Sequence, residues 1–144
     1  MFRVVTTYNC GIYHPYWSQG DRNPKCDQLS RLMMDFKDEN CSNNQRAVNH
    51  FSKMAIDALG TFVITGNRGK FVEYPFRIVV VPSSKMNRIS PSLGAVADRI
   101  SKAYPAGRVH NCLRRKVDVP SAHKDGGDRS IAGHMSTIES LDGN

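Results

Sequence analysis

Apolar residues recur at helical spacing in three stretches. Leu29, Leu32, Met33 and Phe36 follow the i, i+3, i+4, i+7 pattern of an amphipathic helix, with Asp27 placed to cap its start and Lys37 near its far end. After a polar turn, "DENCSNN", Ala47, Phe51, Ala55, Ala58 and Leu59 share a second stripe that ends at Gly60. Leu93, Val96, Ala97, Ile100 and Tyr104 form a third, introduced by Ser90 as cap and Pro91 as first helical residue. The Met and Phe positions on these stripes read as core.

Strand patterns lie between and before the helices. "FRVVTTY" (2–8) is rich in β-branched and aromatic residues and reads as a first strand. "TFVIT" and "KFVEY" flank "GNRG", which predicts a hairpin or two short strands around a plain turn. In "FRIVVVPSSK" the run Ile78 to Val81 is unbroken by polar residues, as a strand covered on both faces requires. A further strand is expected at about 108–113. Residues 76–113 thus read strand, loop, helix, strand, the βαβ unit of a parallel sheet. The fold class expected is α/β, a small three-layer domain with a mostly parallel sheet.

The remaining segments lack a period. Residues 9–26 hold Gly11, Pro15, Gly20 and Pro24, so they read as loop with a short extended piece. Tyr13, Tyr16 and Trp17 lie here, after Tyr8, and either pack over a core edge or stack on a ligand ring. From 114 onward the chain is charged and Gly-rich, read as a mobile loop followed by a short helix or strand. One domain, 1–144, accounts for the whole, with an N-terminal strand, aromatic loop and helix in 1–43, an α/β core in 44–113 and a basic Gly-rich part in 114–144.

Composition narrows the class. Of 144 residues, 40% are apolar and 23% charged, the balance of a globular domain. No apolar run is long enough to span a membrane, and "MFRVVTTYNCG" lacks the apolar core of a secretory signal, so no membrane partner and a cytoplasmic location are expected. Cys10, Cys26, Cys41 and Cys112 are too dispersed for a Cys-x-x-Cys pair; they read as free thiols, and no metal site is expected from them. The formal charge of +7 is unevenly spread: residues 68–129 hold 13 Lys and Arg against 5 Asp and Glu. Such a field attracts phosphate-bearing partners, either nucleotides and sugar phosphates or nucleic acid.

Candidate chemistry lies where the predicted strand stops. Ligands of open α/β sheets bind beyond the carboxyl ends of the strands. There Ser83 and Ser84 offer hydroxyls and backbone N–H groups, and Lys85 and Arg88 offer positive charge. The N-terminus of the helix from Pro91 adds to an anion site. A second candidate is "HKDGGDRS". Gly126 and Gly127 free the backbone, Lys124 and Asp128 flank them, and Arg129 can grip a phosphate, so the segment reads as a flexible loop over the site. His123 and His134 have the chemistry of acid–base groups, but no nucleophile elbow accompanies them. No Walker or GxGxxG pattern occurs.

Taken together, Val81-Pro82-Ser83-Ser84 closing an apolar strand, the helix of Ser92 to Tyr104, Leu113-Arg114-Arg115, "GGDRS" and "HMSTIES" resemble the phosphoribosyltransferase family, most of all its competence-associated and phage-defence relatives. The likeness covers roughly residues 44–140. It implies that the strand end helps to hold pyrophosphate, that the Gly-rich segment covers the site, and that Mg2+ accompanies phosphoribosyl pyrophosphate. The family's strand ending in two acidic residues and a Thr/Gly-rich loop has no counterpart in the sequence. "MDFKDENCSNN" has the pair Asp38-Glu39 but after a helix, and "TFVITGN" has Thr-Gly without acids. The resemblance therefore implies the front part of such a domain, with catalytic activity left open and the sheet completed by a second copy or a partner subunit. A small basic nucleic-acid-binding or accessory protein of a mobile element or phage-defence system is the alternative.

Overall fold

Asp27 opens the first helix: its carboxylate accepts the Ser30 N–H at 2.8 Å, satisfying one of the orphan donors at a helix start. The computed structural model describes residues 9, 11–64, 69–120 and 130–142. Helix α1 spans Gln28–Lys37 and turns Leu32 and Phe36 inward. Ser30 is fully buried beside them, and its hydroxyl accepts the His14 N–H at 2.9 Å, tying the preceding loop to the helix. Helix α2, Asn44–Gly60, contributes Ala47, Val48 and Phe51 to the same core, and helix α3, Pro91–Ala103, packs along α2. The Phe36 and Phe51 rings meet edge-on, 5.2 Å between centroids. Burial of each such side chain contributes about 1.5–3 kcal/mol.

Two polar joints fix the helices. The Asn44 side-chain amide donates to the Asp35 and Phe36 carbonyls at the end of α1 and to the Ser92 hydroxyl at the start of α3. One residue thus ties three helices. At the other end of α3, the Tyr104 hydroxyl donates to the Ile56 carbonyl of α2 at 2.7 Å.

The strands are short. A hairpin, β1 (Trp17–Ser18) and β2 (Asp21–Arg22), turns at Gln19 and Gly20, both at positive φ. Strands β3 (Phe76–Ile78) and β4 (Gly107–Val109) pair in parallel, with α3 as their crossover. Phe76 stands opposite Gly107, and a Cβ at Gly107 would fall 2.5 Å from the Phe76 ring, so the pair requires glycine there. β5 (Leu113–Arg115) pairs antiparallel with β6 (Ile138–Ser140), which follows the short helix α4 (Ile131–Thr137) directly.

The molecule is thus a small mixed α/β domain with four helices among the described residues. The βαβ unit of 76–113 is present, and the three helices lie where their stripes placed them. The single, mostly parallel sheet is not: the described strands form three separate pairs, two of them antiparallel. The apolar run is also not doubly covered. Its ladder ends at Ile78, and Val79 and Val81 are 41% and 58% exposed. Burial alternates along it, so one face of the run stays open. "TFVIT" and "KFVEY" reduce to a bridge, Val63 to Lys70, before a 3-10 turn at Phe71–Glu73. The expected 108–113 strand divides into the ends of β4 and β5. The 2–8 strand lies outside the described residues.

Candidate functional site

Beyond β3 the chain folds into a tight loop, Ser83 to Arg88, closed by the Ser83 N–H donating to the Arg88 carbonyl at 2.9 Å. Asn87 takes the left-handed conformation that the turn demands (φ 55°), which Asn tolerates better than most residues. Lys85 N–H donates to the Ser83 hydroxyl, Met86 N–H to the Asp118 carboxylate at 2.7 Å, Asn87 N–H to the Arg115 carbonyl and Arg88 N–H to the Lys85 carbonyl. Only the Ser84 N–H is without a protein acceptor among the described residues. The loop is therefore not the bed of free N–H donors that its position after a strand suggested; its own turn, Asp118 and Arg115 consume them.

Arg115 supports the loop from below. It is 3% exposed, its Nε donates to the Ser83 carbonyl at 2.7 Å, and its Nη1 donates to the Thr137 hydroxyl at 2.5 Å. No carboxylate pairs with it among the described residues.

A cleft of about 680 Å³ opens beside the loop. Ser83, Ser84, Lys85 and Arg88 form one wall, Ser90 and Leu93 at the start of α3 another, and Met33, Phe36 and Lys37 of α1 with Asp38, Glu39 and Asn40 the third. The Ser90 hydroxyl caps nothing, so it leaves the Ser92 and Leu93 N–H groups of the first turn of α3 without a side-chain cap. The structure thus gathers four of the five predicted phosphate-site residues around one cavity. Arg129 and the expected flexible loop with Lys124, Gly126, Gly127 and Asp128 lie outside the described residues, as does His123.

The cleft's electrostatics differ from a bare basic site. Arg88 pairs with Glu39 across the opening, and Lys85 Nζ lies 3.2 Å from Asp118 Oδ2. Asp118 is held below the usual carboxylate range, first by the Met86 N–H and then by Lys85. In the sequence, Asp38 and Glu39 follow a helix rather than a strand. The three-dimensional arrangement places both in the cleft, opposite the cations, through the sharp exit of α1 at Asp38.

Other sequence candidates take structural roles or remain apart. His134 lies in α4, and its carbonyl accepts the Ile138 N–H. Cys26, Cys41 and Cys112 are free thiols, as expected, and Cys10 lies outside the described residues. In the aromatic loop Tyr16 meets Trp17 edge-on, Arg22 lies over Tyr16 and Lys37 over Tyr13, while Trp17 remains 63% exposed. Among the described residues, no helix is long and apolar enough to cross a membrane.

No family model matches the chain, and no curated protein or solved structure matches it significantly. The resemblance to phosphoribosyltransferases accordingly rests on the quoted residues alone.

Proposed function

We propose that this chain binds a small phosphorylated ligand, of the pyrophosphate or sugar-phosphate class, in the cleft beside the Ser83–Arg88 loop. The observation that carries this reading is the two-sided chemistry of the cavity: Lys85, Arg88 and the start of α3 on one side, Asp38 and Glu39 on the other. Phosphate oxygens match the cations, the Ser84 hydroxyl and N–H, and the first turn of α3. Sugar hydroxyls match a carboxylate acceptor such as Asp38. Mg2+ would enter with the phosphates, since it retains waters and takes a few carboxylate oxygens rather than a full protein cage.

Binding requires an exchange of partners. Arg88 leaves Glu39 and Lys85 leaves Asp118 as the ligand's charge arrives; the Lys85–Asp118 pair is exposed and screened by water, whereas the Glu39 side chain is only 22% exposed and competes with the ligand for Arg88. The reading keeps the phosphoribosyltransferase-like fold as its structural frame, with β3, the loop and α3 as the shared part. It extends to ligand binding and not to transfer chemistry.

A thermal-shift titration tests it, using Mg2+ with phosphoribosyl pyrophosphate, pyrophosphate alone and a short DNA duplex. A ligand that binds only the folded state raises the melting temperature by mass action. A saturable rise with the phosphorylated small molecules, reduced in Lys85→Ala and Arg88→Ala, is the expected result. A rise with DNA only, falling steeply with salt, would transfer the reading to nucleic-acid binding.

A further inference from the structure

A second group of chemically active side chains lies outside the cleft. His110 and Cys112 sit in the connection from β4 to β5, and Asp142 follows β6. Their potential donor atoms all lie within 4.8 Å of one another. His110 Nε2 is 2.6 Å from Asp142 Oδ2. None of the three lines the 680 Å³ cleft.

The backbone explains the convergence. The Cys112 N–H donates to the His110 carbonyl at 3.0 Å, a three-residue turn that holds His110 and Cys112 close together. β6 pairs with β5 with Leu113 opposite Ser140, and the Leu141 N–H continues the ladder to the Cys112 carbonyl at 2.7 Å. The next residue, Asp142, is thereby delivered to His110. The His110 N–H donates to the Ile78 carbonyl of β3 at 2.9 Å, anchoring the other side of the cluster.

We propose that His110, Cys112 and Asp142 form a binding site for a divalent transition-metal ion, with zinc the best match. A thiolate, an imidazole and a carboxylate are zinc's donor types, whereas magnesium and calcium prefer oxygen alone. Three protein donors leave a fourth position for water or for a donor from another molecule. Binding releases the thiol proton of Cys112 to solvent and replaces the His110–Asp142 hydrogen bond, with the neutral imidazole keeping its proton on the ring nitrogen that does not bind. Arg77 Nη1, 3.7 Å from Asp142 Oδ2, is the one cation paired with the cluster among the described residues; its side chain is 71% exposed, so no packing prevents it from turning aside. The ion would clamp the β4–β5 connection to the segment after β6, joining the parallel and antiparallel pairs.

Cobalt(II) titration of the reduced, metal-free protein tests the site, followed by zinc competition. The proposal expects one equivalent of cobalt, a thiolate-to-metal charge-transfer band, its bleaching by zinc, and a zinc-dependent rise in melting temperature. Cys112→Ser should abolish the band, and Asp142→Asn, at an exposed position, should weaken binding at least tenfold while circular dichroism stays unchanged. Cys26→Ser and Cys41→Ser should leave it intact. Absence of a charge-transfer band in the wild-type protein, or a band that survives in folded Cys112→Ser, overturns the assignment.

Discussion

Buried Arg115 donates its Nε to the carbonyl of Ser83 at 2.7 Å, so the first residue of the cleft loop rests on a guanidinium that water hardly reaches. The pairing couples the β5–β6 ladder to the cleft: the same side chain reaches Thr137 just before β6, and the Arg115 carbonyl accepts from Asn87 inside the loop. Arg115→Lys keeps the charge but not the planar fork that serves both partners. We expect it to destabilise the fold by about 1–3 kcal/mol, the cost of a buried polar group left unsatisfied. Urea unfolding with an unchanged m-value checks this, and a variant as stable as wild type would remove Arg115 as the loop's support.

The Gly107 position should reject any side chain. A Cβ there meets the Phe76 ring at 2.5 Å across the parallel pair. Gly107→Ala is expected to cost about 1–3 kcal/mol, as overpacking does. Phe76→Leu in the same molecule should recover part of that loss, because the two positions touch and their effects are not additive. Thermal melts of the two single variants and the double variant measure the coupling.

Asn44→Ala releases two carbonyls at the end of α1 and the buried Ser92 hydroxyl together. A loss of about 1–3 kcal/mol is expected, with the α1–α2 and α2–α3 contacts loosened in concert. Hydrogen exchange would show this as faster exchange at the end of α1 and the start of α3, with the middle of α2 less affected.

Acid should weaken the fold through two carboxylates. Asp27 is held low chiefly by the Ser30 N–H, and Asp118 chiefly by the Met86 N–H. A carboxyl group with a lowered folded pKa binds fewer protons folded than unfolded, so it stabilises above its unfolded value, about 4, and loses that contribution as pH falls through the lowered one. Asp27→Ala and Asp118→Ala should each flatten the acid limb of stability against pH. An acid limb identical to wild type in both variants would contradict these roles.

The sequence disclosed the helices because each carries its own amphipathic stripe and start signal, as at Asp27 and at Ser90-Pro91. It overstated β3, since a β-branched run such as Ile78 to Val81 does not reveal how many partners flank it. The cleft was half legible. Ser83, Ser84, Lys85 and Arg88 are consecutive enough to be seen together, but their counterions are not: Asp118 and Glu39 lie 33 and 49 residues away from Lys85 and Arg88. Nor could the pattern show that the turn, with Asp118 and Arg115, would occupy most of the loop's N–H groups. The His110, Cys112 and Asp142 cluster carried one local signal, His-x-Cys; its third member arrives only through the β5–β6 register.

Calorimetric titration with pyrophosphate of wild type, Arg88→Ala and Glu39→Gln tests the cleft most directly. Pyrophosphate has no sugar hydroxyls, so Glu39 acts toward it only as a competitor for Arg88. Saturable binding in the wild type, weaker binding in Arg88→Ala and tighter binding in Glu39→Gln are expected. No heat in any of the three, or the same affinity in all, would contradict the assignment of the cleft.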